Sequence, residues 1–211
     1  MRPTTALLLA SITLASCGAG DPAPKLSSEA EAVVARSKTT QATYAAYAWT
    51  KVERDGRMVE EWSAEFHDGA KHRVETPSHR LIADCVARVG KALTVATGEI
   101  YDDPKVAVAA CGVNTNPKTR ASAYLGSIQT PFGKADRITV TDAEVIRSYD
   151  ITSQGVIVGG TYRVNDENKR LVLEARAVAV ESMLPAADMF DAQSLQKSFV
   201  PERYKAPPAN P

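Results

Sequence analysis

The sequence predicts a mainly β domain of the α+β class, in which a strongly curved antiparallel sheet or half-barrel carries an N-terminal helix on one face. Long segments of the 211-residue chain alternate apolar with polar residues, as strands with one buried face do. Asp-Gly and Gln-Gly pairs separate several of these segments and are typical of short β-turns. Helical spacing of apolar residues is clear in one segment near the N-terminus.

The predicted helix extends from about residue 29 to residue 43. Ser28 is followed three residues later by Glu31, which is the pattern of a capping box. Ala30 and Val33 then begin a stripe at the spacing of one helix face. We therefore expect this helix to lie on a larger surface.

The first predicted hairpin turns at Asp55-Gly56, a pair that tolerates the positive φ angles of a type I′ turn. A two-residue loop at this position places Trp49 opposite Trp62. The same register places Lys51 opposite Glu60. Because an aromatic pair and an opposite-charge pair arise from one register, the two observations support each other.

A second turn is expected at Asp68-Gly69. Here we expect a three-residue bulged loop, which sets Glu65 opposite Arg73 and places Val74 on the face of Ala64.

The middle of the chain carries weaker patterns. Residues 105–113 are largely apolar and include Cys111. Periodicity is poor from residue 117 to residue 133. Four apolar residues there would suit one or two helical turns: Ala121, Tyr124, Leu125 and Ile128.

Two further hairpins are predicted near the C-terminus, with turns at Gln154-Gly155 and at residues 165–168. Gly159-Gly160 inside a strand predicts a bulge or the close approach of something bulky. Residues 186–198 are expected to form short helical turns, with Asp191 as an N-cap. The pairs expected in the hairpins are Tyr149 with Gly160, Arg147 with Tyr162, and Tyr162 with Leu171.

The N-terminal segment predicts export. Arg2 precedes an apolar run that ends at Ala15. This run is shorter than the ~20 residues of a membrane-spanning helix and fits a secretory signal. Leu14-Ala15-Ser16-Cys17 resembles the lipobox of bacterial lipoproteins. The resemblance implies cleavage before Cys17 and its modification by a diacylglyceryl group and an acyl chain such as palmitate; the alternative is an ordinary signal peptide with a coincidental Cys.

The predicted signal segment and lipobox determine the expected domain organisation. Residues 1–16 are the signal peptide, residues 17–28 a flexible tether, residues 29–199 a single curved-sheet domain, and residues 200–211 an irregular, mobile, Pro-rich tail. In lipoproteins an Asp after the Cys favours inner-membrane retention. Gly18 stands here, so the resemblance implies anchoring at the outer membrane, facing the periplasm.

Charge and composition exclude some classes of partner. The chain has 25 Lys and Arg against 25 Asp and Glu. Nucleic-acid-binding surfaces are strongly basic, so we expect no nucleic-acid partner. No Gly-rich phosphate loop is present, and we expect no nucleotide or other cofactor.

Three cysteines occur in the chain. If Cys17 is lipidated, Cys85 and Cys111 are left as an even pair in an oxidising compartment, which favours a disulfide. The alternative is two buried free thiols. No second pair or nearby histidine supplies zinc spacing.

The order of the predicted elements resembles the outer-membrane lipoprotein carrier and receptor fold, which is LolA/LolB-like. The resemblance lies in residues 49–52 before Asp55-Gly56, in residues 69–75, and in the late hairpin formed by residues 162–165 and 170–173. It implies a half-barrel that holds an acyl chain against helices.

Catalytic and metal-binding patterns are weak. His67, His72 and His79 lie close together in the sequence, which would suit a metal site, but we expect them to be solvated residues beside turns. Ser78-His79 adjacency lacks a nucleophile elbow. Three carboxylates are explained by cross-strand ion pairs rather than by acid–base chemistry: Glu60, Glu61 and Glu65. We predict no catalytic residues and no metal ligands.

The aromatic residues are the candidate binding set. They either form plain core or line a cavity for an acyl or other apolar group. The candidates are Tyr47, Trp49, Trp62, Phe66, Tyr149 and Tyr162.

The function expected from these features is a non-enzymatic, lipid-anchored envelope protein that binds an apolar or acyl group in a concavity of the sheet. One alternative is an envelope scaffold lipoprotein with a filled core that binds another protein. A second alternative is an envelope hydrolase.

Overall fold

The computed structural model describes residues 25–39, 42–102, 104–113 and 118–206. The predicted signal peptide, Cys17 and the tether up to residue 24 lie outside the described residues, and lipid anchoring stays a prediction. No helix in the described part of the chain is long and apolar enough to cross a membrane.

All strands in the described residues belong to one sheet. They are β1 (Lys25–Leu26), β2 (Thr43–Arg54), β3 (Arg57–Asp68), β4 (Lys71–Glu75), β5 (His79–Asp84), β6 (Val89–Thr94), β7 (Glu99–Asp102), β8 (Ala121–Thr130), β9 (Gly133–Thr141), β10 (Val145–Thr152), β11 (Ile157–Val164) and β12 (Leu171–Ser182). The α-helices are α1 (Ser28–Lys38) and α2 (Pro104–Ala110), and 3₁₀ turns occupy Ala192–Gln196 and Glu202–Tyr204.

The predicted fold class is confirmed. The strands follow the order β1-β8-β9-β10-β11-β12-β2-β3-β4-β5-β6-β7, and the sheet does not close into a barrel. Neighbouring strands are antiparallel except at one edge, where the short β1 pairs with β8 in parallel. The N-terminal helix packs on this sheet, as predicted.

Helix α1 is shorter than predicted. Ser27 rather than Ser28 is the N-cap, and its hydroxyl accepts the backbone N–H of Ala30. Ala30 and Val33 are buried as expected. The helix ends at Lys38, because the β-rich, alternating segment that begins at residue 43 is already strand β2.

The first hairpin has the predicted register. Trp49 pairs with Trp62 and Lys51 pairs with Glu60. Asp55 and Gly56 both have positive φ angles, 50° and 76°, as a type I′ turn requires.

The expected three-residue loop between β3 and β4 is wrong. The turn has two residues, so Asp68 pairs with Lys71 and Phe66 pairs with Arg73. Glu65 therefore faces Val74 rather than Arg73. This one-residue difference moves Arg73 to the opposite side of the sheet.

The expectation of helical turns in residues 117–133 is also wrong, since residues 121–130 form strand β8. Gly126 has a φ angle of 99°, and the pairing with β9 shifts between Tyr124 and Gly126. A bulge of this kind interrupts the period of two, which hid the strand from a pattern search.

The late hairpins agree in part with the prediction. Tyr149 pairs with Gly160 and Arg147 with Tyr162, as expected. Tyr162 pairs with Leu173 rather than with Leu171. The pairing next to the turn is already displaced by one residue, since Arg163 pairs with Leu171, and the register shifts by one more residue between Arg163 and Tyr162.

The two sides of the sheet carry different elements. We call the side that carries α1 and α2 the helix face; α1 contacts β8 and β9, and α2 contacts β4, β5 and β6. The other side carries residues 183–204, which we call the strap, and is the strap face. Tyr47 and Phe66 pack against the strap.

The sheet is strongly curved around the helix face. In a flat sheet, β9 and β5 would be separated by seven inter-strand steps, or roughly 34 Å. Yet Ala110 packs against β5 and β6, while Val113, three residues later, packs against α1 and β9. Three residues span only ~10 Å. The backbone N–H of Val113 also donates to the Ser37 hydroxyl at 3.1 Å.

A buried ion pair attaches the strap. Arg73 and Glu75 are both fully buried, and Arg73 Nε donates to Glu75 Oε1 at 2.7 Å. Glu75 also accepts from the Ser198 hydroxyl and the Phe199 backbone N–H. The remaining N–H groups of the Arg73 guanidinium donate hydrogen bonds to Met189 O, Ser194 Oγ, Ser194 O and Lys197 O. An unpaired charge would be costly here, so the pair specifies where the strap docks.

The first residues of the expected mobile tail belong to the strap. Val200 is buried, and the ring of Tyr204 stacks on Tyr47 with a centroid distance of 3.9 Å. The predicted helical turn after Asp191 is present as the 3₁₀ turn Ala192–Gln196, although the Asp191 side chain makes no capping hydrogen bond. Residues 207–211 lie outside the described residues.

The predicted Cys85–Cys111 disulfide is confirmed. It joins the end of β5 to the residue after α2, across a sequence separation of 26. Through Cys111 it holds the short crossing segment, residues 111–113, above the sheet.

Replacing both cysteines, Cys85→Ala with Cys111→Ala, is expected to lower the free energy of unfolding by about 3–4 kcal/mol, because the disulfide restricts the unfolded chain. Urea unfolding of the oxidised protein and of the double variant measures this difference. Equal unfolding midpoints for the two proteins would contradict the expected role of the bridge.

Candidate ligand-binding cavity

The centre of the helix face is paved with small side chains. On β2 the alternation directs Ala46 and Ala48 to this face, and on β12 it directs Ala175 and Ala177 there. Gly160 of β11 pairs with Ala175 and continues the same row. Because none of these residues has a long side chain, they leave space above the strands.

Gly160 also has no room for a side chain. A Cβ atom at this position would lie 2.9 Å from the carbonyl oxygen of Ser148 on the neighbouring strand. The group that comes close to Gly160 is therefore the backbone of β10, and not the bulky group that the sequence suggested.

The crossing segment forms a roof over this floor. Ala110 and Gly112 line the space from above. Gly112 has a φ angle of 76°, and a Cβ atom there would lie 2.8 Å from the carbonyl oxygen of Ser37. Only glycine fits this contact between the roof and the end of α1. Cys111 lies between Ala110 and Gly112, so its disulfide holds the roof in place.

Floor and roof border a partly open cavity of about 260 Å³. Its lining extends from Tyr149 on β10 to Val74 on β4, which is five inter-strand steps or roughly 24 Å along the sheet. A cavity of this volume and extent is long and narrow. Most of its lining is apolar, and it includes Val74, Ile157 and Leu173.

Two tyrosines lie at the β10–β11 end of the cavity. The rings of Tyr149 and Tyr162 meet edge to face, with centroids 6.3 Å apart. Their hydroxyl oxygens are 3.4 Å apart. Arg147 lies on the far side of Tyr162, with its guanidinium carbon 5.7 Å from the ring centroid. This end is thus closed by rigid rings.

The β3 end of the cavity is polar. The Tyr44 hydroxyl donates to Glu65 Oε1 at 2.9 Å. His72 Nδ1 lies 3.3 Å from the same oxygen, within reach of charge attraction but not aligned as a hydrogen bond. His67 stacks on Tyr44, and its Nδ1–H donates to the carbonyl of Ala42 at 2.6 Å.

The ionisation of this cluster follows from its surroundings. Burial acts to raise the pKa of Glu65, but the neighbouring His72 and the Tyr44 hydroxyl outweigh burial and leave that pKa below its ordinary value. Burial raises the pKa of Tyr44, and the charge of Glu65 raises it further. Burial lowers the pKa of His67, with a further decrease from His72. Glu65 is therefore an anion beside a neutral phenol.

The structure divides the predicted aromatic set between the two faces. Tyr149 and Tyr162 line the cavity on the helix face. The other four predicted candidates lie on the strap face: Tyr47, Trp49, Trp62 and Phe66. Within that group, Tyr47 and Phe66 are buried against the strap, and Trp62 packs beside them.

Sequence reasoning missed the residues that shape the cavity. The alanine floor carries a weak signal, since alanines alternate at 46 and 48 and again at 175 and 177. Glu65 was explained by a cross-strand pair with Arg73, which the true register rules out. Neither signal could be assigned to a cavity before the strand order was known.

The expectation that the histidines are solvated is wrong for two of them. His67 and His72 pair across β3 and β4 and are only 1% and 4% exposed. His79 is exposed. In the part of the chain that the structure describes, no group of three or more His, Cys, Asp or Glu side chains is arranged to hold a metal ion.

One nucleophile and one base lie in contact. His79 Nδ1 is 2.9 Å from the hydroxyl of Ser78. Both are adjacent surface residues at the start of β5, and neither lines the cavity. Among the described contacts of His79, no carboxylate orients the ring as a catalytic triad requires.

Comparisons with known proteins concern the fold. No protein-family model matches the chain, and no curated protein matches it. An uncharacterized conserved protein from Thermus thermophilus is similar in structure, with a TM-score of 0.54 and 11% sequence identity; the match covers 77% of this chain and 92% of that chain. At this identity the likeness is one of fold alone.

Two further solved structures have lower TM-scores. MucB matches with a TM-score of 0.46 and 14% identity, over 78% of this chain and 63% of MucB. A LolA superfamily protein from Nitrosomonas europaea matches with a TM-score of 0.41 and 6% identity, over 76% of this chain and 96% of that chain.

The lowered pKa of His67 predicts a loss of stability on acidification. Above its ordinary value of 6.5 the ring is neutral in both states; below 6.5 the unfolded chain takes up the proton first. Stability therefore falls as the pH decreases from 7.5 to 5.5, with a slope of at most about 1.4 kcal/mol per pH unit for this one proton. His67→Phe, which keeps a ring stacked on Tyr44, is expected to reduce that slope in urea unfolding.

His79→Phe is the matched control, because it removes an exposed histidine. Glu65, whose pKa is also lowered, loses its contribution only as the pH falls from its ordinary value of 4.5 downwards, outside the measured window. If His67→Phe and the wild type lost stability equally between pH 7.5 and 5.5, the assigned role of His67 would be wrong.

Proposed function

We propose that this chain is a non-enzymatic cell-envelope protein that binds an apolar or acyl group in the cavity on the helix face. The observation that carries this proposal is the long, narrow shape of the cavity. A slender hydrocarbon chain fits between the alanine and glycine floor and the roof formed by Ala110 and Gly112. Concave, mostly apolar sites with a few polar groups are typical of small-molecule binding.

The energetics favour a chain-like ligand. Each methylene group that leaves water contributes about 0.8 kcal/mol. An empty space of this size between packed elements otherwise costs the protein dispersion contacts, since interiors are normally close-packed. A chain laid along the floor restores those contacts and buries its own surface.

The polar groups in the cavity support binding rather than hydrolysis. Ser63 lines it, but its hydroxyl shares a hydrogen bond with the Thr50 hydroxyl at 2.9 Å. No histidine belongs to the described lining. The contact between Ser78 and His79 lies elsewhere on the surface. A nucleophile–base pair is therefore not assembled where a ligand would lie.

Filling the cavity tests this function. Ala175→Leu places a larger side chain on the floor and is expected to weaken binding of the apolar fluorophore diphenylhexatriene by about tenfold or more, because the two occupy the same space. Thermal stability is expected to stay equal or to rise. Fluorescence titration and thermal unfolding measure the two effects.

Ala87→Leu is the matched control, since the same substitution is then made in an exposed turn. It is expected to bind the fluorophore as the wild type does. Unchanged binding by Ala175→Leu would contradict the cavity as the site and would favour the scaffold alternative, in which another protein binds the exposed surface.

We also propose that the chain is anchored to the outer membrane through Cys17. The support is the Leu14-Ala15-Ser16-Cys17 motif after a short apolar segment. At least two acyl chains are needed for stable anchoring, and lipidation of this kind supplies them. The cavity domain would then lie beside the membrane that contains its apolar ligands.

Metabolic labelling with palmitate tests the anchor. Cys17→Ser is expected to abolish incorporation, since it removes the acylated sulfur. The double variant Cys85→Ala with Cys111→Ala, which retains Cys17, is expected to remain labelled. Label retained by Cys17→Ser would exclude this anchor.

A further inference from the structure

Glu65 is unusual among the residues that line the cavity. It is the one carboxylate in the described lining, which contains no Lys, Arg or His. Its Oε1 atom accepts from Tyr44 and lies near His72. Its Oε2 atom has no hydrogen-bond partner among the described residues. Half of this carboxylate is thus satisfied by the protein and half is not.

Glu65 faces the cavity. It lies near the C-terminal end of β3 and points to the helix face, between its cross-strand partners Ala46 and Val74. Both partners line the cavity as well. The Glu65 side chain is 25% exposed. Its exposed part therefore opens into the cavity rather than onto the outer surface.

A carboxylate in this position needs a polar or charged partner. An ionised oxygen beside apolar side chains loses the hydration that it would have in open water. The surrounding Ala46 and Val74 cannot replace this hydration. A ligand with positively charged N–H donors can replace it, and charge-assisted hydrogen bonds of this type are stronger than neutral ones.

We propose that the cavity selects single-chain amphiphiles with a protonated amine head group, which donates to Oε2 of Glu65 while the chain lies on the alanine floor and points toward Tyr149. This inference rests on the proposed function, because it assigns the head group of the ligand held in the same cavity. It predicts that the head group, and not only chain length, decides affinity.

The same geometry disfavours anionic head groups. A fatty-acid carboxylate at the β3 end would face Glu65 with no cation among the described lining residues to receive it. Like charges at close range repel more strongly in an apolar site than in water. A neutral alcohol can donate one hydrogen bond to Oε2 without the charge, and its affinity falls between the two.

Competition among head groups tests the proposal. The full-length chain with Cys17→Ser, used so that no detergent is needed, is saturated with diphenylhexatriene at neutral pH. Dodecylamine, dodecanol and dodecanoate, which share one chain, then displace the fluorophore. Dodecylamine is expected to bind about tenfold more tightly than dodecanol, the ratio typical of a charge-assisted hydrogen bond, and dodecanoate most weakly.

Glu65→Gln tests the carboxylate itself, because it keeps the side-chain shape and removes the charge. The preference for dodecylamine over dodecanol is expected to fall to about onefold. Glu61→Gln is the matched control: it removes the same charge from the same face of the same strand, outside the cavity lining, and is expected to keep the tenfold preference.

The outcomes separate this inference from the proposed function. Equal affinities of dodecylamine and dodecanol in the Cys17→Ser protein would overturn the head-group assignment and leave the apolar site standing. This measurement does not need Glu65→Gln to fold. Failure of all three ligands to displace the fluorophore would overturn the proposed function. A tenfold preference that survives in Glu65→Gln would also overturn the role of Glu65.

The source of the amine is distinguished by one more competitor. Lysophosphatidylethanolamine carries its amine beyond a phosphate. Displacement as efficient as that by dodecylamine would support a membrane-lipid head group as the natural source. Weaker displacement would support a free single-chain amine, since the phosphate then brings a second negative charge toward Glu65.

Discussion

The concave side of this molecule depends on one constraint, the short segment 111–113. It follows α2 in the sequence and packs against α1 in space. Residues 111–113 must join two packing clusters that a flat sheet would hold far apart. The disulfide at Cys111 fixes one end of the crossing, and the bond from Val113 to Ser37 fixes the other. The sheet therefore has to bend beneath it. Where it bends, small residues on the central strands leave a partly open space instead of a filled core.

The opposite side of the sheet, the strap face, is covered by residues 183–204. There the larger aromatic side chains are covered by the strap, and the Arg73–Glu75 pair decides where the strap lies. A buried pair of this kind adds little net stability relative to apolar packing, but it tolerates no misplacement because each charge would lose its partner. One face is thus closed by aromatic packing, and the other retains a narrow cavity with a carboxylate at one end. The cavity and the aromatic cluster beneath the strap are therefore on opposite faces of the sheet.

The sequence patterns predicted pairs of neighbouring strands well. The Trp49–Trp62 register followed from one turn residue pair and from alternation, which are both local properties. Errors arose wherever one residue changed the phase. The bulge at Gly126 hid strand β8, and the two-residue turn after Asp68 moved Arg73 to the strap face. A shift of a single residue exchanges the two faces of a strand, so a correct strand can carry a wrong assignment of every side chain.

By itself the sequence determined the fold class, the helix position, the first hairpin and the pairing of Cys85 with Cys111, because these depend on local spacing and on the count of cysteines. Only the tertiary structure decided which side chains face the cavity. Alanines on β2 and β12 become a floor only when these strands are neighbours, and they are far apart in the sequence. Glu65 lines a cavity only because the curvature of the sheet brings the roof above the central strands. Both are long-range consequences of strand order and bending, which residue patterns along the chain do not contain.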